Sequence, residues 1–207
     1  MRVGGSCFIR SEYTRANPPF FYHKFLQTQL NSNLMSSIWI VRHYENCSGC
    51  RRCELACSIH HEDWMWPEAS RIRVFMPFPG VEIPHLCVQC DDYPCKESCP
   101  VDAISIDNQT TAVVVNREAC TSCGACVKAC PGTVPYLHPK DRKANICDLC
   151  GGDPECVKVC QEAGYGTLKL VHERMSTNRK LYSRNPIIVA KKLAIKMFGE
   201  KGLEVIE

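Results

Sequence analysis

The stretch Cys120-Thr-Ser-Cys123-Gly-Ala-Cys126-Val-Lys-Ala-Cys130-Pro131 sets four thiols at the spacing C-x2-C-x2-C-x3-C and closes on proline. Near-copies recur on both sides of it. Upstream lie Cys87, Cys90, Cys95 and Cys99, followed by Pro100, and before them Cys47, Cys50, Cys53 and Cys57. Downstream lie Cys147, Cys150, Cys156 and Cys160. These four tetrads use sixteen of the seventeen cysteines in the 207-residue chain and leave Cys7 outside. A repeat of this kind organises a chain before any secondary structure is considered.

The spacing has a mechanical reading. A [4Fe–4S] cube needs one thiolate at each iron, and the first three cysteines of a C-x2-C-x2-C loop curl around one cube while backbone N–H groups turn toward its sulfurs. The fourth cysteine has passed into a helical turn and points away; in the bacterial two-cluster pattern it ligates the neighbouring cube. Proline after it stops the loop from continuing as regular structure. Tetrads of this type work in twos, so four of them predict four [4Fe–4S] clusters in two pairs. Structural zinc calls for a different layout, two C-x2-C knuckles about 12–20 residues apart that clasp one tetrahedral ion from both sides. Each tetrad here is compact, which favours iron–sulfur chemistry.

Composition favours metal ligation over disulfides. Residues 1–37 lack a basic start, an apolar run and a small-residue cleavage site, so the thiols are read as ligands in a reducing, cytoplasmic setting. No apolar run approaches the roughly 20 residues that span a bilayer. Charge is uneven: residues 38–168 carry twelve Lys/Arg against seventeen Asp/Glu, net −5, while residues 1–37 are net +3 and residues 169–207 net +5. Each loaded cube with its thiolates adds about −2 in the oxidised form. The loaded core is therefore acidic, which argues against nucleic acid as a partner. No phosphate-binding glycine loop, nucleophile motif or paired-carboxylate spacing stands out, so the chain is expected to have no substrate site of its own.

Between tetrads the chain reads as short strands. Residues 101–106 read as a brief helical turn and a strand, 107–111 as a turn, and 112–116 as the returning β-branched strand. Residues 71–75 and 81–85 are further strand candidates separated by the breaker-rich Met76-Pro-Phe-Pro-Gly80. Residues 38–41 and 166–171 supply a first and a closing strand. Asn185 as N-cap, Pro186 at the first helical position and Gly199 beyond the end bracket a helix. On it, Ile188, Ala190 or Lys191, Ile195 and Phe198 fall on one face, for core packing or partner docking. The expected fold class is α+β, with short strands and helices around four clusters.

The second tetrad with Cys99-Pro-Val-Asp-Ala-Ile104, the third with Pro131, and the compact fourth, Cys147-Asp-Leu-Cys-Gly-Gly-Asp-Pro-Glu-Cys156, resemble a known family. They are similar to the four-cluster ferredoxin-type subunits of molybdenum and tungsten pterin oxidoreductases, over residues 38–171 or so. Such subunits occur beside dimethyl sulfoxide reductase and formate dehydrogenase types; the short linkers look closer to those beside tungsten aldehyde oxidoreductase-like and benzoyl-CoA reductase-type enzymes. The resemblance implies shared ligands. Cys47, Cys50, Cys53 and Cys160 would hold one cluster, and Cys57, Cys147, Cys150 and Cys156 its neighbour. Cys87, Cys90, Cys95 and Cys130 would hold a third, and Cys99, Cys120, Cys123 and Cys126 the fourth. It further implies two interlaced ferredoxin-like dicluster domains, an outer one of residues 38–86 and 138–171 and a middle one of residues 87–137. Residues 1–37 and 172–207 become extensions. The implied role is an electron-transfer subunit, not an enzyme, between a large catalytic oxidoreductase subunit and a second electron carrier. Cys57 is followed by Ser58 and Cys160 by Gln161, where many members of that family have proline, so the backbone there is expected to differ.

Three features lie outside this scheme. Trp64, Met65, Trp66 and Pro67 form an apolar knot, read as packing over the outer cluster pair or as a docking anchor. His60-His61-Glu62-Asp63 is read as solvated surface, because adjacent loop residues rarely converge on one ion; the remaining histidines are read as surface or hydrogen-bonding residues. Cys7 is a spare thiol, and translation from Met35 would leave every tetrad intact.

Overall fold

The computed structural model describes residues 37–173, Arg179 and residues 184–206. Cys7, Met35 and the expectations placed on the N-terminal extension lie outside them. Eight strands run in chain order: β1 (Ser37–Arg42), β2 (Arg73–Phe78), β3 (Val81–His85), β4 (Ile104–Ile106), β5 (Val113–Val115), β6 (Tyr136–Leu137), β7 (Ala144–Asn145) and β8 (Leu168–Glu173). They pair antiparallel in twos, β1 with β8, β2 with β3, β4 with β5 and β6 with β7. Between them lie helices α1 (Arg52–Glu62), α2 (Pro94–Glu97), α3 (Ala125–Ala129), α4 (Glu155–Glu162) and α5 (Pro186–Phe198). The fold is α+β, without a continuous sheet among the described residues.

Sulfur occupies the positions that aliphatic side chains fill in an ordinary core. Ile40, Ile72, Leu86, Leu149, Val157 and Leu168 are buried around Cys57, Cys147 and Cys156. A second cluster packs Ala103, Ile104, Val113 and Ile146 around Cys95, Cys120 and Cys126. The β1–β8 ladder, with Ile40 opposite Leu170, closes the first core by joining residues more than a hundred positions apart.

Proline decides how far each helix runs past its last cysteine. Cys99 and Cys130 precede Pro100 and Pro131; α2 ends at Glu97, and α3 ends at Ala129 with Cys130 as its cap. A residue before proline is driven out of the helical region. Cys57 and Cys160 precede Ser58 and Gln161, and α1 and α4 continue to Glu62 and Glu162. Ser58 also pins the following loop: its hydroxyl donates to the Leu55 carbonyl at 2.9 Å and accepts from the Trp66 N–H at 3.1 Å.

Four local expectations need correcting. The helical turn near the second tetrad is α2, before Cys99, rather than at Val101. Strand β2 begins at Arg73 and continues through Pro77 to Phe78, where the sequence suggested a break from Met76. The register shifts between Phe75 and Phe78, and proline is tolerated at such a bulge because no ladder N–H is required of it. The closing strand runs from Leu168 to Glu173, later than expected. On α5, capped by Asn185 Oδ1 accepting from the Ile187 N–H at 2.9 Å, Ala190 packs as expected but is joined by Ala194 against Phe78, Val81 and Ile83, and the Phe198 ring meets Phe78 edge-on at 6.0 Å. Ile188, Ile195 and Phe198 remain 48%, 43% and 52% exposed. Two alanines four residues apart let the helix backbone approach the β2–β3 hairpin, where isoleucine would hold it off.

Gln89, fully buried, ties separate tetrads together. Its Nε2 donates to the Cys147 carbonyl at 2.8 Å and its Oε1 accepts from the Val113 N–H at 2.9 Å. Gln89→Ala strands a buried donor and a buried acceptor, each costing about 1–3 kcal/mol, so a loss of about 2–6 kcal/mol is expected from denaturant midpoints. An unchanged midpoint would show that these bonds do not hold the loops.

Candidate metal centre

The four C-x2-C loops share one backbone feature. The residue before the second cysteine is left-handed in each: Gly49 at φ 69°, Gln89 at 51°, Ser122 at 62° and Leu149 at 58°. For a non-glycine residue this costs about 1–2 kcal/mol, so it persists only where the loop shape demands it. Such turns collect successive N–H groups on a concave side and make it receptive to anions. Backbone N–H groups of Gln89, Arg71, Ala103 and Ala144 donate to the sulfurs of Cys87, Cys57, Cys99 and Cys120 at 3.4, 3.2, 3.3 and 3.4 Å.

The thiols gather across tetrads. Cys47, Cys50, Cys53 and Cys160 line one cavity, walled by Val74, Pro84 and Leu168. Cys99, Cys120, Cys123 and Cys126 line another, walled by Ile104, Leu137 and Ala144. Elsewhere, proximity is visible in electrostatics. Burial, followed by Cys147, Cys57 and Cys150, raises the Cys156 thiol well above its ordinary range. Burial and then Cys57 raise Cys147. Burial, then Cys130, pushes Cys95 up to about 12, with Cys90 and Cys126 contributing less. Cys87 is raised by burial first and then by Cys147, Cys95 and Cys90.

These neighbours also connect the groups in a row. Cys53 acts on Cys156, Cys147 on Cys87, and Cys126 on Cys95. Cys50 and Cys123, in the groups at the two ends, are the exposed cysteines among those described.

The donor set fits iron–sulfur clusters. The first, third and fourth tetrads consist of free thiols. Burial opposes the ionisation of Cys53, Cys147, Cys150 and Cys156, so thiolates are stable there only beside a cation, and a coordinated metal removes the thiol proton outright. Cubes held by four cysteines supply that charge and accept N–H···S hydrogen bonds.

Around the thiols, some expectations change. His60 is exposed, but His61 is half-buried, with Nε2 3.7 Å from Cys150 Sγ and 3.5 Å from Asp148 Oδ1. His85 Nε2 lies 2.9 Å from the Gly132 carbonyl, and His138, 1% exposed, sits 3.3 Å from both Glu62 and Asp141. The apolar knot divides: Trp66 packs edge-on to the His138 ring at 5.3 Å, whereas Trp64 and Met65 are 74% and 76% exposed. A further anchor, unread in the sequence, is buried Arg179, whose Nη1 donates to the Gln89 carbonyl at 3.0 Å.

Residues 80–169 match the family model of the 4Fe–4S dicluster domain and residues 44–64 that of a 4Fe–4S binding domain. The chain is 49% identical to the aliphatic sulfonate oxidoreductase, polyferredoxin-like subunit, of Pyrococcus furiosus, over 83% of this chain and 99% of that one. The chain belongs to the 4Fe–4S dicluster ferredoxin family. This ferredoxin is also 35% identical to an uncharacterized ferredoxin of Methanocaldococcus jannaschii, over 72% of this chain and 89% of the relative. It is similar to a chain of the active site complex BamBC of benzoyl coenzyme A reductase, 23% identical over 83% of this chain and 97% of that chain, with a TM-score of 0.42. As a dicluster ferredoxin it is an iron–sulfur electron-transport protein. Among its described residues no helix is long and apolar enough to cross a membrane.

Proposed function

We propose that this ferredoxin carries four [4Fe–4S] clusters and relays single electrons as the small subunit of an oxidoreductase. Cys47, Cys50, Cys53 and Cys160 hold one cluster, and Cys57, Cys147, Cys150 and Cys156 a second. Cys87, Cys90, Cys95 and Cys130 hold a third, and Cys99, Cys120, Cys123 and Cys126 the fourth. In this reading residues 38–86 and 138–171 form an outer dicluster domain interlaced with a middle one of residues 87–137. When bound, the clusters supply one-electron carriers. The chain's residues hold them in sequence, exclude water from the middle of the row and orient N–H groups onto their sulfurs.

The row of thiol groups with exposed Cys50 and Cys123 at its two ends carries the reading. An electron enters at one exposed end and leaves at the other, so the protein serves two partners. One is a large catalytic subunit, in keeping with the oxidoreductase named for the Pyrococcus relative, and of the tungsten or molybdenum pterin type that the tetrad motifs resemble; the other is a second electron carrier. Cysteines held as iron–sulfur ligands rather than as disulfides suit a reducing cytoplasm.

Anaerobic affinity purification from the native cell tests this. The expected result is a stoichiometric large subunit, with tungsten or molybdenum found by elemental analysis and reduction of the ferredoxin's visible absorbance by that subunit's substrate. Recovery of the ferredoxin alone, exchanging electrons with several soluble enzymes, would make it an autonomous carrier instead.

A further inference from the structure

We propose that His61 donates its Nε2–H to the Cys150 sulfur and thereby raises the reduction potential of the cluster that Cys150 ligates, an inference that rests on the ligand sets proposed above. His61 stands in the last turn of α1, while Asp148 and Cys150 lie on the fourth tetrad's loop. Its Nε2 is 3.5 Å from Asp148 Oδ1 and 3.7 Å from Cys150 Sγ. Asp148 is itself fixed: Oδ1 accepts from the Cys150 N–H at 3.0 Å, and Oδ2 pairs with Arg71 Nη1 at 2.5 Å. A carboxylate held by arginine offers only lone pairs, so the ring nitrogen facing it carries hydrogen. That same N–H is within reach of the sulfur.

The effect on the cluster follows from charge. Reduction adds an electron whose density spreads onto the ligand sulfurs, and a donor aimed at one of them stabilises the reduced form more than the oxidised form. The other N–H···S contacts described above come from the backbone. This one comes from a side chain, so a substitution removes it without disturbing a loop. His61 is a positioning and tuning residue, not a ligand.

The test compares His61→Phe with His61→Gln in the cluster-loaded protein by redox titration followed by electron paramagnetic resonance. Phe fills the volume without a donor, whereas the Gln amide nitrogen reaches the place of Nε2. His61→Phe is expected to lower one potential by about tenfold in the reduction equilibrium constant, about 59 mV for one electron. The other potentials and the iron content should stay unchanged, and His61→Gln should remain near wild type. The shifted signal should be the one that Cys150→Ser perturbs. An unchanged potential in iron-replete His61→Phe, or an equal drop in His61→Gln, overturns the proposal. If His61→Phe loses iron, wild-type protein labelled with 15N-histidine decides: coupling of imidazole nitrogen to the reduced cluster that disappears in His61→Gln supports it, and its absence refutes it. A Cys150→Ser variant with every cluster signal intact would instead sink the ligand sets, and this inference with them.

Discussion

The Cys57→Ala variant is expected to lose one cluster, the one completed by the fourth tetrad, and to keep the one held by Cys47, Cys50 and Cys53. Cys53 and Cys57 stand four residues apart on α1, as Cys156 and Cys160 do on α4, and the two helices pack together. Each helix thus presents two thiols one turn apart on the same face. Cys57 is buried, receives the Arg71 N–H, and neighbours Cys147 and Cys156. Under the proposed ligand sets, alanine there opens the cube of Cys147, Cys150 and Cys156 at one iron. Iron content should fall by about four per chain, the complement of one cube. The paramagnetic signal lost should be the one lost in Cys147→Ala and retained in Cys50→Ala. Electron flow through the complex should fall sharply, since the broken cube stands second in the row. If Cys57→Ala instead abolished the signal that Cys50→Ala abolishes, each tetrad would hold its own cube and the shared-ligand scheme would fail.

Removing iron is expected to remove the fold. The two largest buried clusters are built around cysteines, and among the described residues the strands pair only in twos, which by themselves are marginal in water. Cluster binding is therefore part of folding stability. Anaerobic chelation should abolish the cooperative thermal transition seen by near-ultraviolet circular dichroism, and reconstitution with iron and sulfide should restore it. An iron-free chain that still melts cooperatively near the holoprotein's temperature would show that the aliphatic residues suffice.

The repeat of cysteines was legible because ligand spacing is a local constraint written directly into the chain. So was the α5 helix, whose Asn185, Pro186 and Gly199 signals are local too. The face of α5 that packs was not, because it depends on the width of the gap at the β2–β3 hairpin rather than on periodicity. Nor was the role of His61, since α1 and the fourth loop are brought together only by folding; a histidine within a metal-rich sequence gives no sign of which sulfur it will meet. Buried Gln89 and Arg179 escaped for the same reason: polar side chains read as surface until the backbone groups they satisfy are in place. The helix extensions after Cys57 and Cys160 were foreshadowed by the missing prolines, because proline acts on its immediate neighbours.

The number of clusters tests the account most directly. Anaerobically purified protein, analysed for iron and acid-labile sulfide against a quantitative amino-acid determination, should contain about sixteen of each per chain, four cubes of four. A value of about eight of each, or zinc in place of iron, would contradict it.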